Sequence, residues 1–182
     1  MQDTATQPKR VSHDAHTPVL YTIAPCSLGY VLAASAGQGL CAVHLGDTEE
    51  QLAALLAEDY PATWLEPNQD DLKRWAGVLQ DYLRGVQREL DLPLDMGGTE
   101  FQRRVWRALQ AIPYGSTRTY TQLAEELGQP TATRAVASAC AANTLALAIP
   151  CHRALREDGS LSGYRWGLAR KDALLTMERF GL

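Results

Sequence analysis

Pro150 stands directly before Cys151 and His152 near the end of an apolar run, and it restricts the backbone that presents the cysteine. Proline fixes its own φ and drives the preceding residue toward an extended conformation. We therefore predict that the chain leaves a strand or a stiff extended segment as it presents Cys151. A thiol has a reference pKa of about 8.5, so at neutral pH it needs a base, such as an imidazole, to become a nucleophile. For most such pairs, an ordinary buried cysteine beside an unrelated histidine is the better interpretation.

Two short helical segments are predicted before this site. Thr119 begins a capping-box pattern that opens a helix ending near Leu127. Gly128-Gln129-Pro130 turns the chain, and a second helix is predicted from about Ala132 to Ala142. Two short helices joined by a glycine-containing turn form a helix-turn-helix. The second helix is mostly alanine, which favours either tight packing or a close approach of its backbone to DNA.

The first part of the chain predicts a small antiparallel sheet with two helices. The predicted strands are Val19 to Ala24, Tyr30 to Ala36 and Leu40 to Leu45. Thr48 begins a capping-box pattern, and the helix that follows it is predicted to end at Pro61. A second helix, from Asp70 to about Arg84, carries leucines and aromatic residues at helical spacing.

Proline and paired glycines between Leu92 and Gly98 predict a domain junction. The N-terminal half (residues 1–97) carries 6 Lys/Arg against 14 Asp/Glu, a net charge of -8, and the C-terminal half (residues 98–182) carries 11 against 7, a net charge of +4. This asymmetry suggests that the C-terminal half contacts the phosphates of a nucleic acid. Charged, solvated faces on both halves would give the same difference in net charge. We divide the chain into a flexible tail (1–18), an α/β domain (19–97) and a helical domain (98–182), which opens with a capping box at Thr99.

Composition narrows the class of protein further. The 46% hydrophobic content suits a soluble globular chain, no apolar run is long enough to cross a membrane, and the first residues lack a secretory signal. The four cysteines, Cys26, Cys41, Cys140 and Cys151, form no paired framework, which favours a reducing cytoplasm. Their spacing fits none of the usual zinc patterns, so we predict neither a metal nor a cofactor.

Residues spread over the C-terminal half resemble one family in type and spacing. They are Arg134-Ala-Val-Ala-Ser-Ala-Cys-Ala-Ala-Asn143, Pro150-Cys-His-Arg153, Gly163-Tyr-Arg-Trp-Gly167 and Glu178. This set resembles the O6-alkylguanine-DNA alkyltransferases, in particular the alkyltransferase half of bacterial Ada-type proteins. The resemblance implies an α/β protein with a ribonuclease H-like N-terminal domain and a helix-turn-helix C-terminal domain. It also implies a monomer that binds duplex DNA containing O6-alkylguanine and moves the alkyl group to its own cysteine, once.

The resemblance assigns catalytic roles to four residues. Cys151 accepts the alkyl group, His152 removes its proton through a water, and Glu178 orients His152. Asn143 joins the second helix of the helix-turn-helix to the Cys151 segment. From the residues alone, Glu178 would belong to a solvated helix face and Asn143 would be an ordinary residue at a helix end.

The resemblance also implies a DNA- and base-binding set. It comprises Tyr120, Arg134, Ala135, Ser138, Arg153, Ala154, Tyr164, Arg165 and Trp166. Arg134 would fill the space of a nucleotide flipped out from the minor groove, and Tyr120 would assist the rotation. The carbonyl of Ala154 and the backbone of Arg165 would bind the extruded guanine. Trp166 is expected to narrow the alkyl pocket, with a plain core position as the competing interpretation.

Two other functions stay open at this point. One is a module that recognises alkylated DNA without reacting and recruits other factors. The other is a helix-turn-helix regulator with a cysteine sensor, because Ada-type proteins couple repair to transcription.

Overall fold

The structure, a computed structural model, describes residues 18–60, 65–67 and 72–181. Its strands are β1 (Val19–Cys26), β2 (Gly29–Ser35), β3 (Leu40–Gly46), β4 (Leu65–Pro67), β5 (Arg118–Thr119) and β6 (Ala154–Leu155). Its helices are α1 (Glu49–Asp59), α2 (Lys73–Leu83), α3 (Glu100–Gln110), α4 (Tyr120–Glu126), α5 (Thr133–Ala141) and α6 (Leu168–Phe180). Residues 1–17 of the predicted tail, the helix end at Pro61 and the helix start at Asp70 lie outside the described residues. Within those residues, no helix has the length and apolar character needed to span a bilayer.

The N-terminal sheet begins as an antiparallel meander. β1 pairs with β2 from Leu20↔Ser35 to Cys26↔Gly29, and β2 pairs in turn with β3. The three predicted strands are therefore confirmed. β4 adds to the other side of β1 in parallel and gives the order β3-β2-β1-β4. This fourth strand was not predicted, because three residues are too few to show a period of two.

α1 packs against this sheet through buried leucines. Leu52 and Leu56 are fully buried, and burying a leucine side chain stabilises the fold by about 1.5–3 kcal/mol. Thr48 caps the helix by accepting the N–H of Gln51 at 3.2 Å. The side chain of Gln51 accepts the N–H of Asp47 at 2.8 Å instead of returning to Thr48. Half of the predicted capping box is therefore formed.

The C-terminal half is built on three packed helices, α3, α4 and α5. Thr99 and Thr119 each accept the N–H of the glutamine three residues further on, and each glutamine accepts the threonine N–H at 2.8 Å. Both predicted capping boxes are thus confirmed. Leu123 of α4 and Val136 of α5 are fully buried. Between these helices the chain turns at Gly128, whose φ of 71° favours glycine, so the predicted helix-turn-helix is confirmed.

The segment that presents Cys151 is a turn, and the predicted extended segment is wrong. Residues 151–153 form a 3-10 turn, closed by a hydrogen bond from the Arg153 N–H to the Pro150 carbonyl at 2.9 Å. Upstream, Leu147 has a φ of 67° and reverses the chain direction. The φ of Pro150, -79°, suits a turn as well as a strand, and the short-range hydrogen bonds decide in favour of the turn.

The Cys151 segment is attached to the edge of the N-terminal sheet. The N–H of Val43 in β3 donates to the Thr144 carbonyl at 2.8 Å, and the Ala146 N–H donates to the Val43 carbonyl at 3.0 Å. The Thr144 hydroxyl donates to the Cys41 carbonyl at 3.1 Å. One hydrophobic cluster contains buried side chains from both halves. The sheet therefore supports the part of the chain that carries the cysteine.

Candidate active site

Asn143 and Cys151 are in direct contact at the centre of the site. Cys151 is 4% exposed and Asn143, just beyond the end of α5, is fully buried. The Asn143 amide Nδ2 donates to the Ile149 carbonyl at 2.9 Å and to the Cys151 Sγ at 3.2 Å, while Oδ1 accepts the Leu145 N–H at 2.8 Å. The asparagine thereby ties the end of α5 to the cysteine turn. It also supplies a donor to sulfur, which favours the thiolate.

The Cys151 thiol is protonated in the resting protein. Burial raises the pKa of Cys151 to about 11, although the Asn143 hydrogen bond and the positive charge of Lys171 act to lower it. The thiolate, and not the thiol, is the nucleophile. A reaction at this sulfur therefore requires a base that removes the proton during the reaction.

His152, the residue after Cys151, is the candidate for that base. It is fully buried, its Nε2 lies 2.7 Å from Oε1 of Glu178, and its ring meets Tyr164 edge-on with centroids 6.4 Å apart. Its Nδ1 is buried and has no hydrogen-bond partner in the described part of the chain. Burial lowers the pKa of His152, although Glu178 acts to raise it. The imidazole is therefore neutral near pH 7.

Glu178 is buried among donors, so the solvated helix face that its sequence suggested is wrong. Its Oε1 accepts from Tyr82 at 2.6 Å, His152 at 2.7 Å and Arg153 at 3.0 Å, and Oε2 accepts from Arg153 at 2.9 Å and the Gly115 N–H at 3.2 Å. Burial alone would raise the pKa of Glu178, but these donors outweigh it and lower the pKa to about 2. An ionised carboxylate only accepts, so the proton of its contact lies on the His152 Nε2 and Nδ1 is the acceptor.

Arg153, which was expected in the DNA-binding set, is paired inside the protein. Its Nη1 donates to the Ile112 carbonyl at 2.6 Å and its Nη2 reaches the Tyr82 hydroxyl at 3.2 Å, in addition to both bonds with Glu178. The guanidinium lies over the Tyr114 ring, 5.8 Å from its centroid. A buried carboxylate needs a paired cation, and Arg153 meets that need inside the protein.

The loop of residues 163–167 is bound to the N-terminal half through its side chains. Trp166 is 3% exposed, and its Nε1 donates to Nδ1 of His44 at 3.0 Å. Arg165 donates to both oxygens of Asp59 at 2.8 and 2.9 Å. Tyr164 packs edge-on against Trp166, with centroids 5.1 Å apart. These contacts agree with the core interpretation of Trp166, and they leave the expected role of the Arg165 backbone untouched.

Three of the expected DNA-binding residues share the outer face of α5. Arg134, Ala135 and Ser138 are all exposed there. Their short or flexible side chains leave the surface of the helix accessible. This face could approach a DNA groove closely.

The remaining expected residues surround a lysine that the sequence analysis missed. Lys171 is fully buried, and its Nζ donates to the Ala154 carbonyl at 2.6 Å and lies 6.0 Å from the centroid of the Tyr120 ring. Tyr120 is 8% exposed, and its hydroxyl accepts from Ser162 at 2.8 Å. Burial lowers the pKa of Lys171. Lys171 precedes Glu178 by two helical turns, so the helical period places both on one face and was the missed signal.

Tyr82 is the second residue that the sequence analysis missed. It lies in α2 of the N-terminal half, 96 positions before Glu178, and nothing local distinguishes it from its aromatic neighbours.

Among the residues that the structure describes, no group of three or more His, Cys, Asp or Glu residues is arranged to hold a metal ion.

A helix-turn-helix is typical of DNA-binding proteins, and here it lies beside a buried thiol, amide, imidazole and carboxylate. Residues 19–96 match the family model described as "6-O-methylguanine DNA methyltransferase, ribonuclease-like domain". Residues 100–180 match "6-O-methylguanine DNA methyltransferase, DNA binding domain". The chain belongs to the 6-O-methylguanine DNA methyltransferase family.

Named relatives agree with this assignment. The chain is 49% identical over 167 residues to the bifunctional transcriptional activator/DNA repair enzyme Ada of Escherichia coli K12, covering 88% of this chain and 45% of Ada. It therefore spans about half the length of this relative. It is 40% identical over 162 residues to the methylated-DNA–protein-cysteine methyltransferase of Methanosarcina barkeri, covering 89% of this chain and 98% of that protein. The Mycobacterium tuberculosis protein OGT, solved in complex with DNA, superposes with a TM-score of 0.78 at 34% identity over 89% of this chain and 94% of its own.

Proposed function

We propose that this protein repairs O6-alkylguanine in duplex DNA by transferring the alkyl group to Cys151, once per chain and without a cofactor. The observation that carries the proposal is the arrangement around the sulfur. Asn143 donates to the Cys151 Sγ at 3.2 Å. His152, which follows Cys151 in the chain, is held through its Nε2 by ionised Glu178, and its Nδ1 has no hydrogen-bond partner among the described residues. Relatives named methylated-DNA–protein-cysteine methyltransferases support the same activity.

The chemistry is a single displacement at carbon. His152 accepts the Cys151 proton on Nδ1 through a water molecule, and the thiolate attacks the alkyl carbon. The sulfur–carbon bond forms as the bond between that carbon and the guanine O6 breaks. The electron pair leaves with the guanine, which takes up one proton and is restored. The thioether is stable, so each chain reacts once.

Access to the alkyl group requires the base to leave the helical stack, because the O6 atom is enclosed in the duplex. The exposed face of α5 approaches the minor groove, and Arg134 fills the position of the extruded nucleotide. Readout in the minor groove is degenerate, which suits a protein that meets lesions in any sequence. The extruded guanine then contacts Tyr120 and the Arg165 backbone.

Incubation with duplex DNA carrying a labelled O6-methylguanine tests the proposal. We expect the label to reach Cys151 and to plateau at one methyl group per chain. Cys151→Ser should abolish transfer while retaining DNA binding, because a hydroxyl ionises far less readily than a thiol.

Cys140→Ser is the matched control, since Cys140 is another buried thiol of the same half. It should transfer at the rate of the unmodified protein. Binding without any transfer would identify a recognition module instead, and turnover beyond one methyl group per chain would exclude the suicide mechanism.

A further inference from the structure

We infer that Tyr82 of the N-terminal half is a positioning residue for the transfer reaction, because its hydroxyl shares Oε1 of Glu178 with His152 and so keeps His152 in the neutral form that accepts the Cys151 proton. The inference rests on the proposed function, in which His152 is the base. It gives the N-terminal half a direct part in the chemistry of a site that otherwise belongs to the C-terminal half.

The geometry brings the Tyr82 hydroxyl to the carboxylate in a fixed orientation. Tyr82 is 1% exposed, its ring meets Tyr114 edge-on with centroids 5.9 Å apart, and its oxygen lies 2.6 Å from the Glu178 Oε1. Arg153 Nη2 donates to the same hydroxyl at 3.2 Å, so the tyrosine proton points to the carboxylate. Burial and the neighbouring carboxylate raise the pKa of Tyr82. The hydroxyl therefore remains a donor.

Three donors compete for one oxygen. Oε1 receives the Tyr82 hydroxyl, the His152 Nε2 and the Arg153 Nη2 at 2.6, 2.7 and 3.0 Å, whereas a carboxylate oxygen offers about two lone-pair sites. Each donor draws negative charge away from the contact with the others. The Tyr82 bond therefore weakens the attraction of Glu178 for an imidazolium, while it leaves the neutral Nε2–H bond in place.

The other groups that face His152 also affect the equilibrium between its neutral and its protonated form. Arg153 and Lys171 both disfavour the imidazolium, burial disfavours it as well, and Glu178 is the carboxylate that favours it. The Tyr164 ring also meets the His152 ring in an edge-on arrangement. Loss of the Tyr82 hydroxyl would strengthen the one favourable interaction, and His152 would hold a proton at higher pH.

Tyr82→Phe tests this role, because it keeps the ring and removes the hydroxyl. The acid limb of the pH–rate profile for methyl transfer should move to higher pH by roughly half a unit, so that the rate on that limb falls about threefold while the plateau at higher pH is retained. The matched control is Tyr60→Phe, which removes another buried hydroxyl of the N-terminal half, one that donates to the Cys41 carbonyl at 3.2 Å. Its profile should keep its shape.

An NMR titration of the imidazole nitrogens in a Cys151→Ser background gives a readout independent of transfer. The Nε2–H tautomer is expected, with a higher His152 pKa when Tyr82→Phe is added. An unchanged His152 pKa, an equal shift with Tyr60→Phe, or a rate loss of the same factor at every pH would overturn the inference. Absence of transfer in the unmodified protein would instead refute the proposed function, and the titration would still decide the role of Tyr82.

Discussion

The indole Nε1 of Trp166 donates to Nδ1 of His44 across 3.0 Å, and both side chains are buried. Nδ1 accepts a hydrogen bond only when it carries no proton, and the His44 Nε2 faces Asp59 at 3.2 Å. Burial lowers the pKa of His44, although Asp59 acts to raise it. A neutral histidine of β3 therefore anchors the loop beside the candidate active site.

Trp166→Ala should lower the free energy of unfolding by about 3–5 kcal/mol, because it leaves a cavity at a buried site. It also removes the surface that supports Tyr164, so the ratio of O6-benzylguanine to O6-methylguanine transfer rates should rise. Chemical denaturation measures the first effect, and the rate ratio, taken well below the melting temperature, measures the second.

Trp166→Phe is the control, since it keeps a ring but leaves the His44 Nδ1 without its donor, at a cost of about 1–3 kcal/mol. If Trp166→Ala lowered the stability but left the rate ratio unchanged, Trp166 would serve the core alone. If Trp166→Ala left the stability unchanged, the result would contradict the burial of this residue.

Arg134→Ala should slow the repair of duplex DNA and leave transfer from the free alkylated base unchanged. The free base needs no flipping, whereas unstacking a base in the duplex costs a few kcal/mol. The control is Arg107→Ala, which removes an exposed arginine of α3 and should affect neither rate. Equal losses on both substrates would assign Arg134 to the fold instead.

Methylation of Cys151 should destabilise the protein. Cys151 is 4% exposed in a packed site, and an added carbon atom there costs roughly 1–3 kcal/mol. The free energy of unfolding of the reacted protein, compared with that of the unreacted protein, measures this effect. A reacted protein of equal or greater stability would show that the site contains room for the group at rest.

Acid should remove the stability that Glu178 provides. The donors around it lower its pKa from the usual 4.5 to about 2 in the folded protein, so its contribution is complete above about pH 5 and disappears as the pH falls toward 2. Glu178→Gln leaves Arg153 unpaired and should cost about 3–5 kcal/mol at neutral pH. This difference should shrink in acid. The control is Glu125→Gln, on an exposed part of α4, which should change the free energy of unfolding at neutral pH by less than about 0.5 kcal/mol. A difference that stays constant from pH 7 to 3 would contradict the lowered pKa.

Local patterns predicted much of the fold correctly. Two capping boxes, at Thr99 and Thr119, and the turn at Gly128 depend on contacts between residues three or four positions apart. Such short-range contacts can be recognised from residue types at fixed spacings in the sequence. The turn at Cys151 was missed for a related reason. Pro150 is compatible with a strand and with a turn, and the short-range hydrogen bonds around it stabilise the turn.

The capping boxes at Thr99 and Thr119, the three strands and the adjacency of Cys151 to His152 could be predicted from the sequence, because each depends on neighbours along the chain. The partners that surround them are set by tertiary contacts. Glu178 is joined to Tyr82 across 96 positions and Trp166 to His44 across 122, and no periodicity relates such distant residues. Burial then acts on these contacts by raising the cost of any unpaired charge, which is why the charge state of the site depends on the packing of the two halves.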